Sequence, residues 1–247
     1  MNPTGNTVLV TGATSGIGLG LALRLHAAGN AVVVAGRRTE RLAQIVAENP
    51  GIESVVLDVT DPASITAVAR EVTVRFPQLN VLVNNAGIME PEDLRTGTDL
   101  DTAERTVTTN LLGPLRLLAA FVPHLLRQES ATIVNVTSGL AFVPLPATPT
   151  YSATKAAMHS FTDSLRVQLA GTGVQVVELA PPAVQTALVG QDDDPNAMPL
   201  EEFLDEAHGI LRDTPDVQQV LVQRVHPLRF AEANGTYDQV LEVLSSH

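Results

Sequence analysis

The sequence predicts an α/β fold: a doubly wound parallel sheet of six to seven strands with helices on both faces. Three observations carry this reading. Short β-branched runs alternate with longer amphipathic segments along most of the 247 residues, a rhythm that implies right-handed crossovers between parallel strands. The chain is 45% hydrophobic but only 3% aromatic, so its core is built from Ala, Val, Leu and Ile, as suits strands buried on both faces. The first β-branched run also leads directly into a glycine-rich turn. The length fits one large α/β domain better than two small ones. Residues 1–247 are therefore read as a single domain, with a mobile substrate loop and helix at about 187–211.

Taken in order, residues 7–10, 31–35, 54–57, 81–84, 132–136 and 174–179 read as strands. Helical periodicity covers 17–28, 38–48, 62–76, 103–126 and 152–170. Asp61 before Pro62 is an N-cap followed by proline at the first helical position. Gly29 is a C-terminal stop for the helix ending at Ala28. Pro181 and Pro182 end the sixth strand, and residues 187–199, rich in Gly, Asp and Pro, read as a loop. Residues 200–211 read as a short helix and 220–225 as a seventh strand. The remaining tail carries no clear pattern.

Composition removes several classes of function. With no cysteine, disulfides and thiolate metal sites are excluded. No stretch has the pattern of a signal peptide or the length of a membrane span, so a soluble cytoplasmic protein with no membrane partner is expected. The net charge of −12 and the lack of a basic stripe argue against nucleic acid. Six histidines are scattered without metal-ligand spacing, and Asp192-Asp193-Asp194 lacks the alternation of a calcium loop; no metal is expected. No G-x-S-x-G elbow marks a serine hydrolase.

The first strand runs into Thr11-Gly12-Ala13-Thr14-Ser15-Gly16-Ile17-Gly18, and a helix follows. Small residues let the backbone turn tightly around a pyrophosphate, which then sits on the helix N-terminus. Gly12, Thr14, Ser15, Gly16, Ile17 and Gly18 are the candidate contacts. No acidic residue closes the second strand; Arg37 and Arg38 follow it instead. An acid there would hold the ribose 2′-hydroxyl of NAD, whereas arginine suits the extra phosphate of NADP. NADP(H) is expected over NAD(H).

Tyr151 and Lys155 lie four residues apart, on one face of a helix. A nearby ammonium favours the phenolate, so Lys155 is expected to lower the tyrosine pKa and make it a usable acid-base group. Lys155 is also the single lysine in a chain with fourteen arginines, and the two cations are not interchangeable where a compact, tunable ammonium is needed. Ser138 lies just past the fifth strand, where ligands of open α/β sheets bind, and Asn110 lies on the preceding helical segment.

Together these motifs resemble the short-chain dehydrogenase/reductase family. The resemblance covers about residues 7–186 and rests on T-G-x-x-x-G-x-G at 11–18, Asp58-Val59, Asn84-Asn85-Ala86-Gly87, Asn110, Ser138, Tyr151 and Lys155 in that order. It implies a Rossmann-like fold and an oxidoreductase acting on CH–OH or C=O groups. Tyr151 then matches the proton donor or acceptor. Lys155 matches the residue that lowers its pKa and binds the nicotinamide ribose. Ser138 matches the serine on the substrate oxygen, and Asn110 the support of a water relay to the lysine. Asp58 and Val59 align with adenine contacts, and Asn85, Ala86 and Gly87 with the cofactor-lining stretch. Pro181, Ala183, Val184 and Thr186 align with the segment beside the nicotinamide. The family usually has Pro-Gly where this chain has Pro181-Pro182, so that backbone should be stiffer. The tail resembles the DltE-type branch. Homodimers or homotetramers are likewise implied by the resemblance.

Leu140, Phe142, Leu145 and Pro182 are candidates for an apolar substrate wall. The acidic stretch 187–211 contains Asp192, Asp193, Asp194, Glu201, Glu202, Asp205 and Glu206 with no Lys or Arg. This suggests a neutral or cationic, fairly hydrophobic ketone, aldehyde or alcohol rather than an anionic thioester. The competing reading is a non-catalytic NADP(H)-binding regulatory protein on the same fold.

Overall fold

The computed structural model describes residues 1–95, 100–188 and 194–246. Its strands are β1 (Thr7–Thr11), β2 (Ala31–Gly36), β3 (Ile52–Val56), β4 (Val81–Asn84), β5 (Ala131–Val136), β6 (Val174–Leu179) and β7 (Gln219–Val220). They form one parallel sheet in the order β3-β2-β1-β4-β5-β6-β7. The helices are α1 (Gly16–Ala27), α2 (Thr39–Glu48), α3 (Pro62–Arg75), α4 (Leu100–Val107), α5 (Gly113–Leu125), α6 (Pro149–Gln168), α7 (Leu200–Asp213), α8 (His226–Arg229) and α9 (Tyr237–Ser245).

Strand side chains alternate between faces, and β1 to β6 each feed two cores. Val8 and Val10 of β1, with Val32 and Val34 of β2, pack against Leu21 and Leu25 of α1, Ile45 of α2 and Phe203 and Leu204 of α7. Leu9 and Val33 point the other way, onto Val68 and Val72 of α3, Phe121 of α5 and Leu165 of α6. Each large aliphatic side chain fully buried this way stabilises the fold by about 1.5–3 kcal/mol before entropy is charged against it. The chain leaves β1 toward β2 and β3, then returns to place β4 on the other side of β1. That reversal opens a crevice beyond the carboxyl ends of β1 and β4, the usual ligand position in such sheets.

Local chemistry explains the element ends. The Asp61 carboxylate accepts from the Ala63 N–H at 2.8 Å and caps α3 ahead of Pro62. Gly29, at φ 89°, follows α1 in the left-handed region open to glycine. The stretch expected as one helix over 103–126 starts at Leu100 and widens into π-type turns at Thr108–Leu112 before α5. Pro114, which has no N–H to donate, follows that widening. Gly113 lies so close to β3's outgoing chain that a Cβ there would fall 3.0 Å from the Val59 carbonyl oxygen. The expected seventh strand over 220–225 is shortened to Gln219–Val220. Its continuation turns away from the sheet, because the Gln223 N–H is taken by the Glu206 carboxylate at 2.6 Å and Gln223–Val225 coils into a 3-10 turn.

Candidate active site

The glycine turn is held from β4. The Thr11 hydroxyl donates to the Val83 carbonyl at 3.1 Å and accepts from the Asn85 and Ala86 N–H groups at 3.0 and 3.2 Å. The Asn85 side-chain amide donates to the Thr11 carbonyl at 2.9 Å. A Cβ on Gly12 would lie 2.7 Å from Ala86 Cα, and one on Gly18 would collide with Asn85 Nδ2. These glycines therefore allow two backbones to touch beneath the crevice. A third approach comes from above, where Thr186 Cγ2 would be 3.4 Å from a Cβ on Gly16.

Past the end of β2, Arg38 folds back over the turn. Its Nε and Nη2 donate to Thr14 Oγ1 at 3.0 and 2.6 Å, and Nη2 reaches Ser15 Oγ at 2.8 Å. Arg37 stands exposed at the same end, close enough to Asp58 to act on its charge. Burial pushes the Asp58 carboxyl up, but hydrogen bonds from Thr60 and the charge of Arg37 leave it below the ordinary carboxylate value. Val59 is buried beside it. A third cation, Arg41, was not anticipated from the sequence; its Nε reaches the Thr14 carbonyl at 3.4 Å. One turn of helix separates it from Arg37 and Arg38, and that spacing was the available signal.

Ser138, Tyr151 and Lys155 meet at the other end of the cleft. α6 begins at Pro149, earlier than the expected start at Ser152, so Tyr151 sits in its first turn. The Ser138 hydroxyl lies near enough to the Tyr151 phenol to act on its titration, and Ser138 Oγ accepts from the Leu140 N–H at 3.1 Å. Lys155 Nζ donates to the Val136 carbonyl at 2.8 Å and lies 5.5 Å from the centre of the Tyr151 ring. The expected lowering of the tyrosine is not what this arrangement produces. Burial pushes Tyr151 up to about 12, against the opposing effect of the Ser138 hydroxyl. Burial also pulls Lys155 down to about 8. The amine is spent on a backbone carbonyl and sits over the ring, so desolvation outweighs charge attraction.

Asn110 lies in the π-type turns, fully buried. Its side chain accepts from the Ile88 N–H at 2.9 Å and donates to the Ile88 carbonyl at 2.8 Å. It also donates to Thr154 Oγ1 at 3.4 Å. The amide thus fastens the segment after Gly87 to the helix and to α6.

One cavity of about 880 Å³ joins the glycine turn, the arginine corner and the Ser138, Tyr151 and Lys155 cluster, while Asn110 is not among the residues that line it. The expected Gly12, Thr14, Ser15, Gly16, Ile17, Gly18, Arg37, Arg38, Asp58, Val59, Asn85, Ala86 and Gly87 all line it, as do Ser138, Tyr151, Lys155, Pro181, Ala183, Val184 and Thr186. Leu140, Leu145 and Pro182 line it too. Phe142 does not: its ring faces away, packed edge-on to His159 at 4.8 Å and under the Arg229 guanidinium at 4.7 Å. Leu145 is fixed by its N–H donating to Ser152 Oγ at 3.2 Å. Met89, Leu188, Leu228 and Leu244 complete an apolar wall that the sequence reading missed. For Leu244 a signal existed, since Tyr237, Val240, Leu241 and Leu244 repeat at helical spacing.

The inference from the acidic stretch needs correction. Glu201 and Asp205 pair with Arg24 of α1 at 2.8 and 2.7 Å, and Glu206 accepts from Gln223. α7 is thus anchored on α1, where Leu204 would meet any Cβ on Gly20. Of the acids in that stretch, Asp194 is the one among the described residues that lines the cavity; Asp192 and Asp193 lie outside the described residues. The loop's two stems are joined, with Met198 N–H donating to the Ala183 carbonyl and Gln185 N–H to the Met198 carbonyl, both at 2.8 Å.

A family model described as short chain dehydrogenase matches residues 6–197. The chain belongs to the short-chain dehydrogenase/reductase family. An uncharacterized oxidoreductase, DltE, of Bacillus subtilis is 41% identical to this short-chain dehydrogenase across 100% of this chain and 99% of its own length. A short chain dehydrogenase of Burkholderia cenocepacia solved in complex with NADP superposes with a TM-score of 0.83 at 27% identity, covering 98% of both chains. A 3-ketoacyl-(acyl-carrier-protein) reductase of Brucella melitensis complexed with NADH gives 0.81 at 26% identity, over 91% of this chain and 100% of that one. The Rossmann-like sheet of this short-chain dehydrogenase is thus shared with proteins that hold either nicotinamide dinucleotide. Among its described residues no helix is long and apolar enough to cross a membrane.

Proposed function

We propose that this short-chain dehydrogenase is NADP(H)-dependent and interconverts a carbonyl and an alcohol on a neutral, fairly hydrophobic small molecule. The observation that carries the reading is the buried contact of Tyr151 with Ser138, beside Lys155, at the end of a cleft whose other end holds Arg37 and Arg38. The glycine turn suits the dinucleotide because it lines the cleft ahead of the α1 N-terminus, and Gly12 and Gly18 let it seat closely on Ala86 and Asn85. The segment from Gly12 to Gly18 would hold the diphosphate. Arg37 and Arg38, with no acid at the end of β2, suit a 2′-phosphate. When bound, NADP(H) supplies or takes up the hydride.

The chain's own residues manage the oxygen. Ser138 donates a hydrogen bond to the carbonyl oxygen. Tyr151, kept neutral by burial, hands its proton to that oxygen as negative charge develops there, and takes it back in the alcohol-to-carbonyl direction. Lys155, whose proton is loosely held near 8, places a positive charge near the same oxygen, re-protonates Tyr151 and is itself re-protonated from solvent. In the other direction its neutral amine first takes the Tyr151 proton and passes it to solvent, leaving the phenolate to accept from the alcohol. Asn110 keeps the Ile88 backbone in place at the cleft floor. The wall of Leu140, Leu145, Leu228 and Leu244 favours apolar substituents. The cations among the described lining residues are Arg37, Arg38 and Lys155, leaving none beside that wall for an anionic tail.

A panel of ketones and aldehydes with NADPH or NADH, followed by nicotinamide absorbance, tests this reading. NADPH-dependent turnover of apolar carbonyls is expected. Tyr151→Phe should bind NADPH as before while kcat falls by about 10² or more. Tight NADPH binding without turnover on any carbonyl would instead mark a regulatory NADP(H)-binding protein.

A further inference from the structure

Behind the Ser138–Tyr151 contact lies a charged group that the proposed chemistry does not use. Glu178, on β6, is completely buried. Its carboxylate accepts from Thr137 Oγ1 at 2.7 Å, from Gln219 Nε2 at 2.6 Å and from His159 Nδ1 at 2.9 Å. Burial pushes this carboxyl up, but the hydrogen bonds from His159, Thr137 and Gln219 outweigh it and leave the group below its ordinary value. A carboxylate stripped of water is costly even when paired, and an apolar side chain of similar size often serves stability as well or better. Packing alone therefore gives no reason for an acid at this position.

The partners suggest a reason. Thr137 immediately precedes Ser138, lines the cleft and is buried. His159 lies on α6 one helical turn beyond Lys155. The His159 ring stands edge-on to Phe142, which closes the short 3-10 turn Gly139–Ala141 that Ser138 caps. Glu178 thus holds both sides of the Ser138–Tyr151 contact, one through the chain that bears the serine and one through the helix that bears the tyrosine.

We propose that Glu178 is a positioning residue for the reaction: with Thr137 and His159 it forms a buried clamp that sets Ser138 against Tyr151. The proposal rests on the reading of Ser138 and Tyr151 as the groups that handle the substrate oxygen. Ser138 and Tyr151 come from separate elements, and displacement of a catalytic group by about 1 Å can lower the rate by as much as 10²-fold. A rigid, fully hydrogen-bonded carboxylate between those elements limits that displacement.

Steady-state kinetics, NADPH titration and thermal melting of the wild type, Thr137→Val, Thr137→Ser, Glu178→Gln and Tyr151→Phe test the clamp. Thr137→Val should lower kcat by about tenfold while NADPH affinity stays within about twofold, because the clamp acts on the oxygen-handling groups and not on the cofactor cradle. Thr137→Ser, which keeps the hydroxyl, should restore most of kcat. Glu178→Gln should lower kcat well below its melting temperature, and the Thr137→Val/Glu178→Gln double variant should be no slower than the slower single one, as expected for coupled residues. If Glu178→Gln fails to fold, the Thr137 pair still decides the matter. Melting temperatures that fall while kcat of the folded protein stays unchanged would reduce Glu178 to a packing role. Wild-type turnover that is lost in Tyr151→Phe but unchanged in Thr137→Val overturns the clamp alone. No turnover in the wild type overturns the underlying reading and the clamp with it.

Discussion

At the scale of single residues, burial sets the chemistry of the Tyr151–Lys155 pair. Both groups are buried, and each is driven toward its neutral form, the phenol upward and the ammonium downward. The lysine therefore weakens the fold it serves. Its folded value, about 8, lies below the 10.5 of a free lysine, so the unfolded chain binds the proton more tightly between those two values. Stability contributed through this group rises with pH across that window, and the full burial penalty is present below it. Lys155→Met removes the penalty and is expected to raise the melting temperature at pH 7 by about 2–4 °C even after the Val136 carbonyl loses its partner, with turnover abolished. The gain over wild type should shrink as the pH climbs from about 8 toward 10.5. Melting curves across that range check it, and a difference that grows with pH would contradict the assignment. That Ser138, Tyr151 and Lys155 share one cleft was legible because Ser138 follows the fifth strand and the other two lie four residues apart on the next helix. Their pKa directions were not, because desolvation depends on what packs around a side chain. The orientation of Phe142 was hidden for the same reason: its partners His159 and Arg229 are remote in sequence.

Elements were legible where one strong local pattern decided them. The six β-branched runs became β1 to β6, and Asp61-Pro62 marked the start of α3. The π-type turns at Thr108–Leu112 escaped, because helical periodicity barely distinguishes a wider turn from a regular one. What sustains the wider turn is tertiary: Asn110 bonded to both backbone groups of Ile88. β7 was overextended because an edge strand's apolar residues read alike whether they pair or merely pack. The Asn110 interaction makes an element-scale prediction. Asn110→Leu keeps the branched outline in a somewhat larger side chain but leaves the Ile88 N–H and C=O without this partner, at a cost of about 2 kcal/mol or more. The melting temperature should drop by about 4–8 °C for a chain of this size. Calorimetry measures it directly. A change below about 1 °C would mean that water replaces the amide at no cost.

At the scale of the whole molecule, the charge distribution matters more than its sum. The net charge is −12, so the protein as a whole repels a polyanionic dinucleotide. Against that field, Arg37, Arg38 and Arg41 gather at the carboxyl end of β2, with Arg38 pinned to Thr14 and Ser15 of the glycine turn. The sheet order creates the gathering: β2 lies beside β1, so the residues that follow the two strands meet at one corner of the cleft. The sequence reading took Arg37 and Arg38 but not Arg41; the spacing hinted at it, and α2 packed on the sheet brings Arg41 to the Thr14 carbonyl. Selection between the two dinucleotides should therefore reside at this corner. Arg37→Asp places an acid where a 2′-hydroxyl could be held and adds a repulsion beside Asp58, so KM for NADPH should rise by about tenfold or more, while KM for NADH changes by less than about twofold. Raising the salt should narrow the wild-type preference for NADPH, because an exposed guanidinium–phosphate attraction is screened within about 8–10 Å at ordinary ionic strength. Kinetics with both cofactors at low and high salt measure both effects. Equal changes in the two KM values on substitution would place the discrimination elsewhere in the cleft.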